Sequence, residues 1–255
     1  MDYKKIADTA LLAGRIMLES NAETYRVEET VRHILSVAKV EHTESFVLPT
    51  GIMITLDDEN MEAISLIKRI TTRSTDLRKI HKVNSISRDL KSGVITIHEA
   101  YRLLVSVDEQ EYKQIHFDIA VITLAIAFTV LLGGNMYDSF LTCINAIILV
   151  LVWTTGRHLK IGSFFSNVIA SILMGLIATL CTRHFPNLFS LDSVMVGSIM
   201  PMVPGTIITN AIRDTFHGDF LSGASRAIEA VFIAVSIALG VAIGLSLGGG
   251  GGLLQ

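Results

Sequence analysis

Five apolar stretches in the second half of the chain constrain its fold more than any other feature of the sequence. They cover roughly residues 117–132, 139–153, 161–181, 194–212 and 228–247. A helix that crosses a lipid bilayer needs about 20 apolar residues, within a range of about 17–25. The last three stretches reach that length, and uncharged flanks extend the first two. The sequence therefore predicts a membrane protein with about five transmembrane helices.

Charged residues divide the chain into two unlike parts. Residues 1–116 hold 16 of the 21 lysines and arginines and 18 of the 24 aspartates and glutamates. We therefore predict a soluble domain over residues 1–115 and a transmembrane domain over residues 116–255, with the lipid bilayer as a partner. A net charge of −3 without a basic run argues against nucleic acid as a partner.

Hydrophobic periodicity in the first 115 residues changes from helix to strand and back to helix. Two apolar runs flank Pro49-Thr50-Gly51, which predicts two strands around a turn. Thr96 and Glu99 match a capping box, which marks the start of a helix. The predicted elements, in order, are a helix over 4–18, a helix from about Tyr25, strands over 46–48, 52–56 and 63–68, a helix over 75–91 and a helix from Thr96. A helix is the alternative for residues 63–68, which are rich in Ile and Leu. The expected fold is an α+β domain followed by an all-α bundle of transmembrane helices.

The basic residues near the apolar stretches predict the orientation of the chain. The N-terminus lacks the apolar core and cleavage site of a secretory signal, so the first domain is expected to stay in the cytoplasm. The cytoplasmic loops, 154–160 and 213–227, then carry four basic residues, and the outer loops, 133–138 and 182–193, carry one. This distribution agrees with the positive-inside rule. An odd number of spans places the tail Gly248–Gly252 outside.

The fourth apolar stretch contains the polar residues that bear most directly on function. Pro201, Pro204 and Gly205 predict a helix break or hinge, because proline lacks the amide hydrogen that a helix needs. The helix that restarts after the break presents free amides, which favour an anionic group such as a carboxylate. A purely structural proline kink, with the polar residues at the membrane surface, is the alternative. The candidate substrate-binding residues are Thr206, Asn210, Arg213 and Asp214.

Three polar residues in the other stretches have less specific roles. Asn145 and Asn167 are expected to join helices by hydrogen bonds rather than to contact substrate. Glu229 either pairs with Arg226 at the membrane surface or carries a proton that couples transport to a gradient.

Catalytic and cofactor motifs are missing from the sequence. It has no nucleotide-binding P-loop, no zinc-ligand spacing and no recognisable nucleophile–base pair in the first domain. We therefore predict no cofactor, no metal and no enzymatic activity, and rank gradient-driven transport of a small molecule first. A membrane-anchored hydrolase and a non-transporting scaffold or sensor are the alternatives.

A series of motifs, in order along nearly the whole chain, resembles the threonine/serine exporter family. They are the run Glu19–Glu29, Pro49-Thr50-Gly51, Gly133-Gly134 with Asp138, Pro204-Gly205, Asn210–Asp214, Gly218-Asp219, and Gly223 with Arg226. Asn21 stands where the family usually has glycine. The resemblance implies an exporter in the inner membrane with a cytoplasmic N-terminal domain.

The resemblance also bears on partners and substrate. Fused members of the family carry a second membrane module, and this chain resembles the larger half of the split form. That form is similar to two-component exporters of dicarboxylates such as succinate, which implies a small membrane subunit as a partner, or a homo-oligomer. The substrate stays open between threonine or serine and a dicarboxylate. The possible functional or coupling cluster is Glu23, Arg26, Glu28 and Glu229, and an ion-paired structural turn is the alternative for its first three members.

Overall fold

The computed structural model describes residues 2–59, 61–108 and 113–249. In order, these residues form α1 (Tyr3–Glu19), α2 (Thr24–Leu35), a 3₁₀ turn (Ser36–Ala38), β1 (His42–Leu48), β2 (Gly51–Asp58), β3 (Met61–Arg69), α3 (Leu77–Lys91), α4 (Ile97–Asp108), α5 (Gln114–Leu131), α6 (Met136–His158), α7 (Ser163–His184), α8 (Leu191–Ile199), a second 3₁₀ turn (Met200–Met202), α9 (Gly205–Phe216) and α10 (Phe220–Gly249). The predicted α+β start and helical remainder are confirmed.

Backbone contacts divide the described residues into two compact units. The front unit consists of the described residues of Met1–Glu111 together with Gly205–Ile228. The membrane unit consists of the described residues of Tyr112–Pro204 together with those of Glu229–Gln255. The predicted domain boundary between residues 115 and 116 adjoins positions 109–112, which lie outside the described residues, and it stays a prediction.

The three strands of the front unit form one antiparallel sheet in the order β1-β2-β3. Leu48 pairs with Gly51 across the turn at Pro49 and Thr50, and β3 continues the sheet on the other side of β2. Alternate residues of β2, Ile52, Ile54 and Leu56, are buried. This alternation is the expected pattern for a sheet with one face on a hydrophobic core. The predicted third strand is confirmed.

The helices of the front unit cover that core. The apolar face of α1, Ile6, Ala10, Ala13 and Met17, is buried, as its helical spacing predicts. The capping box before α4 is also present: the Thr96 amide donates to Glu99 Oε2 at 2.8 Å, and the Glu99 amide donates to Thr96 Oγ1 at 3.3 Å. These reciprocal bonds satisfy two amides that a helix start would otherwise leave free.

Four helices of the described chain are long and apolar enough to cross a membrane: α5, α6, α7 and α10. A fifth candidate span exists if the bent pair of Leu191–Met202 and Gly205–Phe216 counts as one. The chain is therefore a helical membrane protein with four or five candidate spans. The predicted outer tail begins inside α10, which ends at Gly249, and residues 250–252 lie outside the described residues.

The fourth apolar stretch does not form one continuous helix. Helical structure stops at Met202, Val203 has an extended backbone, and α9 begins at Gly205 after Pro204. Proline cannot donate a backbone hydrogen bond, so an unbroken ladder is impossible here. The residues that follow the break, Gly205–Ile228, belong to the front unit.

Glycines let α7 and α10 approach closely within the membrane unit. Gly240, Gly244 and Gly248 recur every four residues on the face of α10 that meets α7. A Cβ atom at Gly244 would lie 2.5 Å from the carbonyl oxygen of Ile172 and 2.9 Å from the amide nitrogen of Leu176. Small residues at this spacing allow backbone-to-backbone packing of membrane helices.

We expect Gly244→Ala to destabilise the folded protein by roughly 1–3 kcal/mol, because the added methyl group meets backbone that cannot move aside. Thermal unfolding of the purified chain in detergent measures the effect. Gly249→Ala is the matched control, since a Cβ there meets nothing within 4 Å. Equal stability of the two variants would contradict the close packing.

Candidate functional site

The front unit contains a buried polar corner where α1 ends and α2 begins. The Asn21 amide donates to the Leu18 carbonyl and the Ala22 amide donates to the Met17 carbonyl, both at 3.0 Å. This pair of bonds is a Schellman cap, which requires a left-handed residue just after the helix. Asn21 occupies that position with φ of 63°. Asparagine is among the few residues with a side chain that tolerate this conformation, which explains why it can replace glycine here.

Two carbonyl groups at the end of α1 accept hydrogen bonds from the segment that precedes α3. The Ser74 amide donates to the Glu19 carbonyl at 2.8 Å, and the Asp76 amide donates to the Ser20 carbonyl at 3.2 Å. The last carbonyls of a helix have no partner inside the helix, so a buried helix end depends on such outside donors.

The next two carbonyl groups, those of Asn21 and Ala22, accept hydrogen bonds from side chains of α9 and α10. Asn210 Nδ2 donates to the Asn21 carbonyl at 2.8 Å, and Arg226 Nη2 donates to the Ala22 carbonyl at 2.7 Å. Arg226 Nη1 also donates to Asn21 Oδ1 at 2.5 Å. The side chain that asparagine has and glycine lacks is therefore a direct partner of the arginine.

A fully buried ion pair lies at the centre of this corner. Arg226 Nε is 2.9 Å from Asp214 Oδ2, and both side chains are 0% exposed. Asp214 also accepts hydrogen bonds from the Thr24 amide at 2.9 Å and the Thr24 hydroxyl at 3.1 Å. Its carboxylate thus caps the start of α2, where the helix dipole favours negative charge. We call Asn21, Thr24, Asn210, Asp214 and Arg226 the corner cluster.

A tight turn holds Asp214 and Arg226 on facing helices. Residues 217–219 join α9 to α10, and the Asp219 amide donates to the Asp214 carbonyl at 2.9 Å. Gly223 lets the two helices touch, since a Cβ there would lie 3.0 Å from the Ala211 carbonyl oxygen.

A second ion pair lies at the rim of the corner cluster. Arg213 donates to Glu23 Oε1, and Arg26 Nε lies 3.5 Å from Glu23 Oε2. The Arg213 side chain is 51% exposed. Burial raises the pKa of Glu23, but hydrogen bonds from its own backbone amide and from Arg213, with the charges of Arg26 and Arg213, outweigh burial and leave the pKa below its ordinary value.

Glu28 has the opposite electrostatic environment. The Val47 amide donates to its Oε1 at 3.3 Å. Burial, with the nearby charge of Asp219, raises the pKa of Glu28 above its ordinary value. Burial and the charge of Asp214 likewise raise the pKa of Asp219.

The structure brings most of the predicted site residues together. Asn210 binds the Asn21 carbonyl, Asp214 binds Thr24, and Arg213 and Arg26 both pair with Glu23, so these residues meet at the α1–α2 corner. Thr206 Oγ1 lies 3.3 Å from Thr75 Oγ1. Glu229 lies one helical turn after Arg226 on α10 and belongs to the membrane unit. Pro201, Pro204 and Gly205 surround the break before α9.

Sequence reasoning did not include three members of the corner cluster among the candidates. Asn21 and Thr24 were part of a motif but had no assigned role, and Arg226 was paired only with its neighbour Glu229. The available signal was scarcity, because Arg226 is one of only five lysines and arginines after position 116. A cation in so apolar a region needs a buried acceptor.

Among residues 2–59, 61–108 and 113–249, no group of three or more His, Cys, Asp and Glu side chains could hold a metal ion.

We expect Arg226→Met to lower the free energy of unfolding by about 3–5 kcal/mol, because it leaves the Asp214 carboxylate buried without its cation. Arg213→Met is the matched control, and its loss should stay within about 1 kcal/mol because Arg213 is half exposed and Glu23 keeps Arg26 as a cation. Denaturant titration of both variants in detergent compares them. Losses of similar size would show that the buried pair is not the stronger of the two.

Glu28→Gln should stabilise the protein at neutral pH and above. A carboxyl group whose pKa is raised by folding weakens the folded state as the pH rises from its ordinary pKa through its folded pKa. Glutamine keeps an acceptor for the Val47 amide and removes the charge. Melting temperatures should therefore diverge in favour of the variant at about pH 8 and converge at about pH 4. A variant that is less stable at the higher pH would contradict the raised pKa.

Comparison with known proteins places this geometry in a family. The family model ThrE, threonine/serine exporter, matches residues 8–248. A curated protein of Mycobacterium tuberculosis named "Probable threonine/serine exporter" is 21% identical over 240 residues, which cover 90% of this chain and 44% of the relative. The chain thus spans less than half the length of that relative. No solved structure matches the chain. The family match runs through both units of this multi-pass membrane protein. The chain therefore belongs to the threonine/serine exporter family.

Proposed function

We propose that the chain is a subunit of a secondary exporter in the inner membrane, with the front unit in the cytoplasm. It moves a small metabolite that carries a carboxylate, either threonine or serine or a dicarboxylate such as succinate, out of the cell. Membership of an exporter family supports the direction of transport. The half-exposed Arg213, which pairs with the buried carboxylate of Glu23, is the observation that carries the proposal for the substrate's carboxylate.

Arg213 is better suited than Arg226 to bind the carboxylate of a substrate reversibly. The three nitrogens of the Arg226 guanidinium face Asp214, Asn21 and the Ala22 carbonyl, and the side chain is fully buried. Arg213 is half exposed and already holds one carboxylate, that of Glu23. A substrate carboxylate can therefore replace Glu23 at Arg213, while Glu23 keeps Arg26 as its cation.

The other predicted binding residues then have positioning roles. Asn210 and Asp214 bind the backbone of the α1–α2 corner and keep α9 in place beside it. Thr206 contacts Thr75 near the start of α9. Departure of Glu23 from Arg213 would free one side of α9, and the interrupted backbone at Pro201–Gly205 is the proposed pivot for alternating access.

A proton gradient is the proposed source of energy. Glu28 supports this choice because burial and Asp219 raise its pKa towards the range in which a carboxyl group exchanges protons in the cell. Glu229, partly exposed in α10, is the second candidate for a proton carrier.

A second membrane subunit of the same family is the proposed partner. The matched relative is more than twice as long as the region it shares with this chain. A separate small subunit, or a second copy of this chain, can supply an equivalent of the additional sequence.

The proposal is tested by transport into proteoliposomes that contain the chain alone or with its candidate small subunit. Labelled threonine, serine and succinate are offered under an imposed pH gradient. Saturable, gradient-dependent movement of one substrate supports export and identifies the substrate class. No movement in correctly oriented vesicles of either composition would overturn the proposal.

Arg213→Gln should raise the KM for the transported substrate at least about tenfold, since a hydrogen bond to a charged group contributes about 1.5–3 kcal/mol. Arg157→Gln is the matched control: this arginine lies near the end of α6 and bonds Thr154, and its KM should match that of the native chain. Initial rates over a range of substrate concentrations give both values. An unchanged KM in the first variant would remove Arg213 from the binding site.

A further inference from the structure

A second polar cluster lies inside the membrane unit, where α5, α6 and α8 meet. Its members are Thr129, Thr142, Asn145 and Ser198, and each is 0% exposed. The hydroxyl groups of Thr129 and Thr142 are 2.8 Å apart, and Asn145 Nδ2 lies 3.0 Å from Ser198 Oγ. Polar side chains at such depth are costly in a membrane protein and tend to mark functional positions.

The hydrogen bonds of Ser198 determine which way the Asn145 amide faces. The Ser198 hydroxyl donates its only proton to the Val194 carbonyl at 2.6 Å. It can therefore only accept from Asn145, so the nitrogen of the amide must face it. The amide oxygen, Oδ1, then faces the other way.

That oxygen has no donor among the described residues. Asn145 Oδ1 is buried without a hydrogen-bond partner in residues 2–59, 61–108 and 113–249. The nearby threonines do not change this, because Thr129 donates to the Ala125 carbonyl at 3.1 Å and Thr142 is left to donate to Thr129. The hydroxyl protons of the cluster are therefore used, and the acceptor Asn145 Oδ1 remains without a donor among the described residues.

Asn167 shows what an asparagine with a purely structural role looks like in the same unit. Its Oδ1 accepts a hydrogen bond from Trp153 Nε1 at 3.0 Å. This contact joins α6 to α7, as expected of a buried amide between membrane helices. Asn145 differs because half of its amide stays unused, and a buried acceptor without a donor is unfavourable.

The surroundings of Asn145 favour a positively charged donor. Asp138, Thr142 and Asn145 follow at i, i+4 and i+7, so they share one face of α6. Asp138 is buried, and its two oxygens accept from the amides of Ser190 at 2.7 Å and Asn135 at 2.8 Å. A buried carboxylate on the same face attracts a cation towards the unused oxygen.

Access to Asn145 requires α8 to separate from α5. Gly197 of α8 lies directly on Thr129 of α5, since a Cβ there would be 1.9 Å from Thr129 Oγ1. Ser198, the partner of Asn145, is the next residue of the same short helix. Movement of α8 would therefore uncover the acceptor together with its neighbouring hydroxyl groups.

We propose that Asn145 Oδ1 binds the ammonium group of the transported molecule, in a subsite completed by Thr142 and Ser198. This inference rests on the proposed export function and narrows its substrate class. Threonine and serine carry an ammonium group, whereas a dicarboxylate such as succinate carries no N–H donor. Asn145 thus selects amino acids over dicarboxylates.

The test compares threonine with 3-hydroxybutyrate, which has hydrogen in place of the ammonium group. Both compete with labelled threonine for transport, and both are added to the purified chain in a thermal-shift assay. The native chain should bind threonine at least about tenfold more tightly than the analogue, the equivalent of one charge-assisted hydrogen bond. Asn145→Leu should reduce this preference to near one, with the melting temperature of the free protein unchanged or raised, because the variant removes an unpaired polar group.

Asn167→Leu is the matched control. It should lower the melting temperature, because Trp153 loses its acceptor, and keep the full preference for threonine. If Asn145→Leu does not fold, Asn145→Ala serves instead, since it also removes the acceptor and should likewise reduce the preference to near one.

The possible results separate the two proposals. Transport by the native chain with an unchanged preference in Asn145→Leu would overturn the ammonium subsite and leave the export function standing. Transport of succinate rather than threonine would overturn the subsite as well. If no substrate moves, the export function fails, and threonine-specific stabilisation that depends on Asn145 would still establish the subsite.

Discussion

The structure of the front unit depends on the need of buried carbonyl groups for hydrogen-bond donors. The corner between α1 and α2 buries four successive carbonyls, and a buried polar group without a partner costs about 1–3 kcal/mol. Segment 74–76 supplies two donors, and Asn210 and Arg226 supply the others. This requirement explains why residues 205–228 group with the first part of the chain despite their apolar composition. Arg226 brings a positive charge into this buried corner, and its ion pair with Asp214 neutralises that charge.

Much of the local structure could be predicted because local patterns determine it. The period of apolar residues gave the helices and strands of the front unit, and the capping box gave the start of α4. The fourth apolar stretch was harder to interpret, because mean hydropathy does not distinguish a membrane span from a helix that packs on protein. In α9 the polar residues Asn210 and Asp214 are buried, whereas the apolar residues Ile208 and Ile212 are exposed.

The partners within the candidate site could not be predicted. Arg226 and Glu229 are close in sequence, so sequence reasoning considered this pair, yet the fold also brings Arg226 to Asp214 and to Asn21. Which of several acceptors a buried cation meets depends on the packing of helices far apart in the chain. The same holds for Asn145: only the direction of the Ser198 hydroxyl shows that its oxygen lacks a donor, and no sequence pattern records that direction.

The long reach of the corner cluster has a consequence for biosynthesis. The hydrogen bonds from Thr24 to Asp214 and from Arg226 to Asn21 join residues 190 and 205 positions apart. A ribosome makes the chain from its N-terminus, so α1 and α2 emerge long before the residues that complete their junction. Contacts of such high sequence separation form late in folding. While helices α5 to α8 are synthesised, the junction between α1 and α2 therefore stays hydrated. The front unit completes its packing only when α9 and the start of α10 have been made.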